Sequence, residues 1–184
     1  MIVLKECIES LQAKLERYKR LGLKETPTRT IFIEPLLQAL GWDVTNWDEV
    51  ELEYPTAGGN FVDYALKLDD RPVLFVEAKP LGAAIDDTDA VSRIIGDAAA
   101  SGIKWCIITN GLSFGVYRTP EEGSPSGRKL FEVSIDPSQN GGISNQEVSE
   151  RLSRFSKAAM AQNVLDNLAG EIYGKANTRK ARRR

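Results

Sequence analysis

The chain has 184 residues, of which 42% are apolar and 27% charged, a balance typical of a globular domain. It contains no histidine, which excludes histidine-dependent nucleophiles, a histidine general base and a histidine-ligated zinc. The net charge is −2, yet the last ten residues, KANTRKARRR, are strongly basic, so we predict either a tail that contacts a polyanion or a solvated tail.

The first third of the chain follows a helical period. One amphipathic helix is predicted from Leu4 to Tyr18, ending near Gly22. A second begins at Thr26 and Pro27, with Thr26 as the N-cap, and runs to Gly41. Pro35 falls inside this second helix and is expected to kink it or shift its start.

In the middle of the chain, apolar and polar residues alternate as they do in β-strands. Strands are predicted at residues 50–54, 61–68, 73–79, 105–109, 114–118 and 130–135, with helices at 87–101 and 145–173. A tight turn at 69–72 makes the second and third strands a hairpin. This order predicts an α/β fold with one mixed β-sheet flanked by helices, which we divide into a domain of residues 1–140 and a C-terminal helix with basic tail, 141–184.

Three charged residues fall in the two apolar strands of the hairpin. Asp63 lies in FVDYALKL, and Glu77 and Lys79 lie in VLFVEAKP. A turn centred on Asp70 pairs residues whose numbers sum to about 140, which places Asp63 beside Glu77, roughly 5 Å apart at Cβ. Lys79 lies two residues after Glu77 and therefore shares its face.

Two adjacent carboxylates repel each other unless a cation neutralises them. Carboxylate, carbonyl and water oxygens suit Mg²⁺, and a carboxylate-bound Mg²⁺ beside a lysine is a means of hydrolysing a phosphodiester. The alternative is a structural salt bridge between Lys79 and one of the two carboxylates. The apolar setting of both strands favours the metal site, because isolated charges are costly to bury.

The same region resembles the PD-(D/E)xK nuclease superfamily, and more narrowly the N-terminal nuclease domain of type I restriction enzyme R subunits. The match covers roughly residues 25–135. It is carried by PLLQALGWD (35–43), ELEY (51–54), VDYAL (62–66), VEAKP (76–80), WCIITNG (105–111) and FGVYR (114–118).

The resemblance implies a restriction-endonuclease-like αβββαβ core. In it, Asp63, Glu77 and the backbone carbonyl of Ala78 would bind the metal, and Lys79 would be the catalytic lysine. Relatives often add a glutamate from the helix before the sheet. Glu34 is the first candidate and Glu25 the second, although Glu34 is equally compatible with a solvated helix charge.

The helix after the lysine strand departs from the family. R subunits usually carry a glutamine and a tyrosine there, whereas this chain has Arg93 and Asp97 in RIIGD. Arg93 is expected either to contact a phosphate or to be exposed. The departure weakens the detailed similarity to an ATP-driven R subunit, and no P-loop pattern occurs in the chain.

Several other residues are assigned structural roles. Asn110 and Gly111 are interpreted as a turn, Tyr64 as packing, and Trp42 and Trp105 as core residues. Trp47 is predicted to be exposed and is the better candidate for stacking on a base.

The preferred hypothesis is a Mg²⁺- or Mn²⁺-dependent DNA endonuclease in restriction or phage defence, with DNA and restriction-modification subunits as partners. No apolar run is long enough to span a membrane, and no signal peptide is evident, so we expect a cytoplasmic location. The main alternative is a catalytically weak or inactive nucleic-acid-binding or assembly module that keeps the nuclease fold. A third hypothesis is a structural domain that forms a homodimer through its terminal helices.

Overall fold

The structure, a computed structural model, describes residues 3–120 and 124–181. Within these ranges the side chains of residues 125–126 and 174–181 are not described. The side chains of the basic tail, and with them the predicted contact with a polyanion, lie outside the described residues. In the part of the chain that is described, no helix has the length and apolar character needed to cross a membrane.

A six-stranded mixed sheet forms the centre of the molecule, as predicted, and its strands follow one another in chain order. The strands are β1 (Val50–Pro55), β2 (Phe61–Leu68), β3 (Arg71–Ala78), β4 (Trp105–Thr109), β5 (Ser113–Arg118) and β6 (Lys129–Ser134). Neighbouring strands are antiparallel except for β3 and β4, which are parallel. A parallel pair needs a crossover connection, and a helix between β3 and β4 provides it.

Helices cover the sheet on both faces. They are α1 (Leu4–Leu21), α2 (Glu25–Thr28), a π-helical turn (Arg29–Ile33), α3 (Glu34–Ala39), α4 (Thr88–Ala100), α5 (Asn145–Ser153), α6 (Lys157–Ala161) and α7 (Val164–Ala181), with a 3₁₀ turn at Pro125–Arg128. The order of α1–α3, β1–β3, α4 and β4 agrees with the αβββαβ core that the resemblance implied.

The second helical segment differs from its prediction in two ways. Thr26 is not the N-cap: the helix begins at Glu25 after Lys24. Before Pro35 the backbone widens into the π-helical turn, in which the Glu34 N–H bonds to the Arg29 carbonyl. Pro35 consequently falls in the first turn of α3, where its missing N–H is not needed.

The prediction of one helix over residues 145–173 is wrong, because three shorter helices occupy this stretch. The Ser156 hydroxyl accepts a hydrogen bond from the Ala159 N–H and starts a new helix at Lys157. Asn163, with φ of +55°, interrupts the helical path again before α7. Each interruption is set by a single residue, a capping serine or an asparagine with positive φ, and hydrophobic periodicity does not reveal either.

The hairpin register agrees with the prediction. Tyr64 pairs with Val76 and Ala65 with Phe75, and continuing this register places Asp63 opposite Glu77. The turn is shorter than predicted and consists of Asp69 and Asp70, both with positive φ, as in the two-residue turns that suit the twist of a hairpin.

Two apolar cores lie on opposite faces of the sheet. The larger joins α1, α3 and the C-terminal helices to residues such as Trp42, Tyr64 and Val76. The smaller packs α4 against residues such as Phe75 and Ile108. The Trp42 indole donates a buried hydrogen bond to the Phe155 carbonyl, which ties the C-terminal helices to the first third of the chain. The division at residue 140 stays a prediction.

The three tryptophans are placed as the sequence indicated. Trp42 and Trp105 are buried in the cores, whereas Trp47 is exposed. The Lys67 ammonium lies 5.7 Å from the centre of the Trp47 ring. An exposed aromatic ring with a cation beside it is compatible with base stacking, and that role for Trp47 stays a prediction.

Candidate active site

The two predicted carboxylates lie on the neighbouring strands β2 and β3, close enough for the charge of Glu77 to raise the pKa of Asp63. Asp63 Oδ2 accepts a hydrogen bond of 2.7 Å from the Ala78 N–H. Glu77 Oε1 accepts one of 3.2 Å from Lys79 Nζ. The four residues Asp63, Glu77, Ala78 and Lys79, called the candidate site below, are therefore brought together as the sequence predicted.

Two arginines neutralise these carboxylates, and the sequence did not reveal either contact. Arg29 Nη1 lies 3.1 Å from Asp63 Oδ1, and Arg93 Nη2 donates to the same Glu77 Oε1 that accepts from Lys79. Arg93 was expected to be exposed or to contact a phosphate; its side chain is 39% exposed and forms an ion pair with Glu77. No local pattern points to Arg29, because its position depends on the π-helical turn.

Arg29 is held by a network that extends beyond Asp63. Its guanidinium donates to Glu53 Oε1 at 2.7 Å and to the Tyr64 hydroxyl at 3.0 Å, and lies 4.8 Å from the centre of the Tyr64 ring. Burial lowers the pKa of Arg29, but the hydrogen bonds and charges of these partners outweigh burial and raise it. Arg29 is thus a permanent cation beside Asp63.

Glu53 has the most unusual backbone near the candidate site. It lies between the pairs Leu52–Tyr64 and Tyr54–Val62, opposite Asp63, with a φ of +50°. Non-glycine residues in this region cost roughly 1 kcal/mol or more and are often found at functional sites. The conformation brings the Glu53 carboxylate to Arg29, a contact that strand periodicity does not predict.

The two glutamates proposed as an added ligand lie at different places. Glu34 Oε1 accepts a hydrogen bond from the Tyr64 hydroxyl at 3.1 Å, and further hydrogen bonds link it through Tyr64 and Arg29 to Asp63. Tyr64 is buried as expected, and its hydroxyl also joins Arg29 to Glu34 by hydrogen bonds. The charge of Glu25 acts on Asp63 and contributes to raising its pKa. The ligand roles of Glu34 and Glu25 stay predictions.

The chemistry of the candidate site fits a hard divalent cation. Burial, above all, raises the pKa of Asp63 to about 6; the Ala78 N–H opposes this shift and the Glu77 charge adds to it. Among the described residues, no three carboxylate, thiol or imidazole groups cluster closely enough to hold a metal. Asp63, Glu77 and the Ala78 carbonyl offer oxygen donors of the kind that Mg²⁺ binds, and their role as metal ligands stays a prediction.

The raised pKa of Asp63 predicts a pH dependence of stability in the absence of divalent cations. The folded protein holds the Asp63 proton more tightly than the unfolded chain, whose aspartate pKa is about 3.9. The stability that Asp63 contributes is therefore fully present below about pH 4 and lost as pH rises through about 6. In EDTA, the wild type should lose about 1–2 kcal/mol of unfolding free energy relative to Asp63→Asn between about pH 4.5 and 8, measured by urea unfolding.

Asp136→Asn is the matched control for this experiment. Burial raises the pKa of Asp136, but hydrogen bonds from Lys19 and Ser138 outweigh it and lower the pKa. The stability that Asp136 contributes is therefore lost only at pH values below the range tested. The difference in unfolding free energy between the wild type and Asp136→Asn should consequently not change with pH. A difference for Asp63→Asn that is equally independent of pH would contradict the prediction.

Two other polar residues near the sheet have structural roles. Asp97 is buried and accepts hydrogen bonds from Asn60 and Thr56, which closes the loop between β1 and β2. Asn110 Oδ1 accepts from the Leu112 and Ser113 N–H groups. The interpretation of Asn110 as a turn former is therefore confirmed.

The comparisons with known proteins yield structural neighbours only. No family model matches the sequence, and no curated protein matches it. The chain is similar to the type IIG restriction endonuclease BpuSI, with a TM-score of 0.49 and 16% identity over 75% of this chain and 17% of that chain. It is also similar to DrdV, solved as a DrdV–DNA complex, with a TM-score of 0.45 and 15% identity over 82% of this chain and 14% of that chain.

This chain spans less than a fifth of the length of either neighbour. The function of this chain must therefore be argued from its own residues. The fold and the candidate site together define an α/β domain that carries two carboxylates and a lysine on adjacent strands of a mixed sheet.

Proposed function

We propose that this chain is a metal-dependent nuclease domain that hydrolyses DNA phosphodiester bonds. The observation that carries the proposal is the convergence of Asp63, Glu77 and Lys79 between two apolar strands, with Asp63 hydrogen-bonded to the backbone that joins the other two. Restriction or phage defence, together with restriction-modification subunits, is the biological setting that the sequence resemblance suggests.

Each residue of the candidate site has a proposed role. Asp63 and Glu77 would hold Mg²⁺ or Mn²⁺ together with the Ala78 carbonyl. An ion held there supplies Lewis-acid stabilisation of the phosphate and lowers the pKa of a bound water. The ammonium of Lys79, already beside Glu77, would orient the attacking water and offset charge on the phosphate. Asp63 is held in place through both of its oxygens, by Ala78 and Arg29.

A structural salt bridge alone explains this arrangement less well. Glu77 Oε1 accepts from both Lys79 and Arg93, so one carboxylate already has two cations, and Lys79 is not needed to neutralise it. A buried carboxylate such as Asp63, with a raised pKa and a second carboxylate beside it, is typical of functional sites. These two features favour a functional site over a purely structural salt bridge.

Cleavage of DNA by the purified chain tests the proposal. Supercoiled and linear DNA are incubated with the protein and Mg²⁺, Mn²⁺ or EDTA, beside Asp63→Ala and Lys79→Ala. We expect metal-dependent cleavage by the wild type and loss of about 10²-fold or more of the rate in each variant. The nuclease proposal would be contradicted if the wild type and the variants cleaved DNA equally, or if no cleavage depended on a metal. DNA binding without cleavage would instead favour a nucleic-acid-binding module.

A further inference from the structure

The three cations around the candidate site differ in their access to solvent. The side chain of Arg29 is 14% exposed, that of Lys79 23% and that of Arg93 39%. Arg29 also has a carboxylate, a hydroxyl and an aromatic ring as further partners. A ligand that arrives from solvent therefore reaches Arg93 most easily.

Arg93 extends from a helix that is itself well anchored. The Asp87 carboxylate accepts the Ala90 N–H at the start of α4, and Val91 and Ile94 pack in the smaller core. The backbone of Arg93 is thus fixed, while its guanidinium is held by the same Glu77 oxygen that accepts from Lys79. A change of partner requires only rotation of the side chain.

A divalent cation and Arg93 compete for the same carboxylate. Once Glu77 binds a metal, its negative charge is neutralised and the like charges of metal and guanidinium repel. The planar guanidinium fork matches the oxygens of a phosphate and binds them through two parallel hydrogen bonds. A phosphodiester at the candidate site offers such oxygens.

We infer that Arg93 is a substrate-binding residue that rests on Glu77 while the site holds no metal and transfers to a backbone phosphate of the bound nucleic acid. This inference rests on the proposed function. It adds Arg93 to the residues that contact the substrate, and it adds a change of the partner of Arg93 from Glu77 to a phosphate. Its consequence is that loss of Arg93 strengthens metal binding and weakens DNA binding.

The metal arm of the test uses Arg93→Gln without DNA. Calorimetric titration with Mn²⁺ should give a dissociation constant on the order of threefold to tenfold lower than that of the wild type, because the competing cation is gone. Arg151→Gln is the matched control, since Arg151 also pairs with a glutamate, Glu147, and is similarly exposed at 35%. It lies on α5, which packs in the core on the other face of the sheet, and should bind Mn²⁺ as the wild type does.

The DNA arm measures binding of a labelled duplex by fluorescence anisotropy in Ca²⁺ over a series of salt concentrations. A gel run afterwards checks that the duplex is intact. Arg93→Gln should bind about tenfold more weakly, and its slope of log K against log salt should be smaller by about one, the value expected for a lost phosphate contact. Arg93→Lys should keep the wild-type slope, because its charge is retained, and lose part of the affinity with the bidentate geometry.

An Arg93→Gln variant with an unchanged salt slope would overturn the inference, since an arginine that only braces Glu77 makes no phosphate contact. So would unchanged or weaker Mn²⁺ binding. Thermal unfolding of all variants shows that they are folded. If the wild type cleaves DNA and Arg93→Gln behaves like Arg151→Gln, this inference fails and the proposed function stands; if the wild type binds no metal, both fail.

Discussion

Replacing Lys79 by methionine is expected to reduce the rate of metal-dependent DNA cleavage by about 10²- to 10³-fold. Methionine keeps an unbranched apolar stem of similar length but removes the ammonium. The ammonium lies 3.2 Å from Glu77 Oε1, where it is placed to act on a water or phosphate bound beside that carboxylate. Single-turnover cleavage at saturating protein measures the effect on the chemical step separately from binding.

Lys104→Met is the matched control for the Lys79 variant. Lys104 also forms an ion pair, with Asp166 at 3.5 Å, but it precedes β4, whereas the candidate site lies beside the end of that strand, where Thr109 pairs with Ala78. We expect wild-type cleavage from it. If Lys79→Met cleaved DNA as fast as Lys104→Met, Lys79 would have no catalytic role.

Replacing Gly111 by alanine is expected to destabilise the fold by about 2–4 kcal/mol. Gly111 has a φ of +81°, and an added Cβ would lie 2.9 Å from both Phe32 Cβ and Thr28 Cγ2. These contacts are shorter than packed side chains tolerate, so the segment around the π-helical turn must shift. Because Arg29 lies in that turn, we also expect reduced activity in the variant that remains folded. Urea unfolding measures the change in stability.

Gly102→Ala separates the two causes of this destabilisation. Gly102 also has a positive φ, +73°, but an added Cβ would meet nothing within 4 Å. Its substitution should therefore cost only the backbone strain, about 1 kcal/mol. A Gly111→Ala variant no less stable than Gly102→Ala would show that the space around Gly111 relaxes without cost.

The residues of the candidate site were predictable because their arrangement depends on local rules. Side chains alternate along a strand, and a short turn sets the register of a hairpin. Asp63 and Glu77 are joined by one hairpin, and Lys79 follows Glu77 by two residues. Counting along the sequence brought the three together, although in the structure a register shift between Leu66 and Lys67 compensates for the shorter turn. The roles of the three residues stay predictions that need the experiments above.

The partners of these residues were not predictable, because they arrive from elements distant in sequence. Arg29 is 34 positions away from Asp63 in the sequence. It lies in a π-helical turn that no local sequence pattern predicted. Arg93 reaches Glu77 because α4 crosses from β3 to β4 and packs over one face of the sheet. The strained backbone of Glu53 is likewise maintained by its neighbours.

The sequence by itself determined the mixed sheet, the order of its elements and the hairpin that pairs the two carboxylates, since periodicity and turn length act over a few residues. Only the tertiary structure decided which cations neutralise Asp63 and Glu77 and how the C-terminal helices are divided. The physical reason is that charge pairing and packing depend on distances in space, which alternation along a chain does not encode.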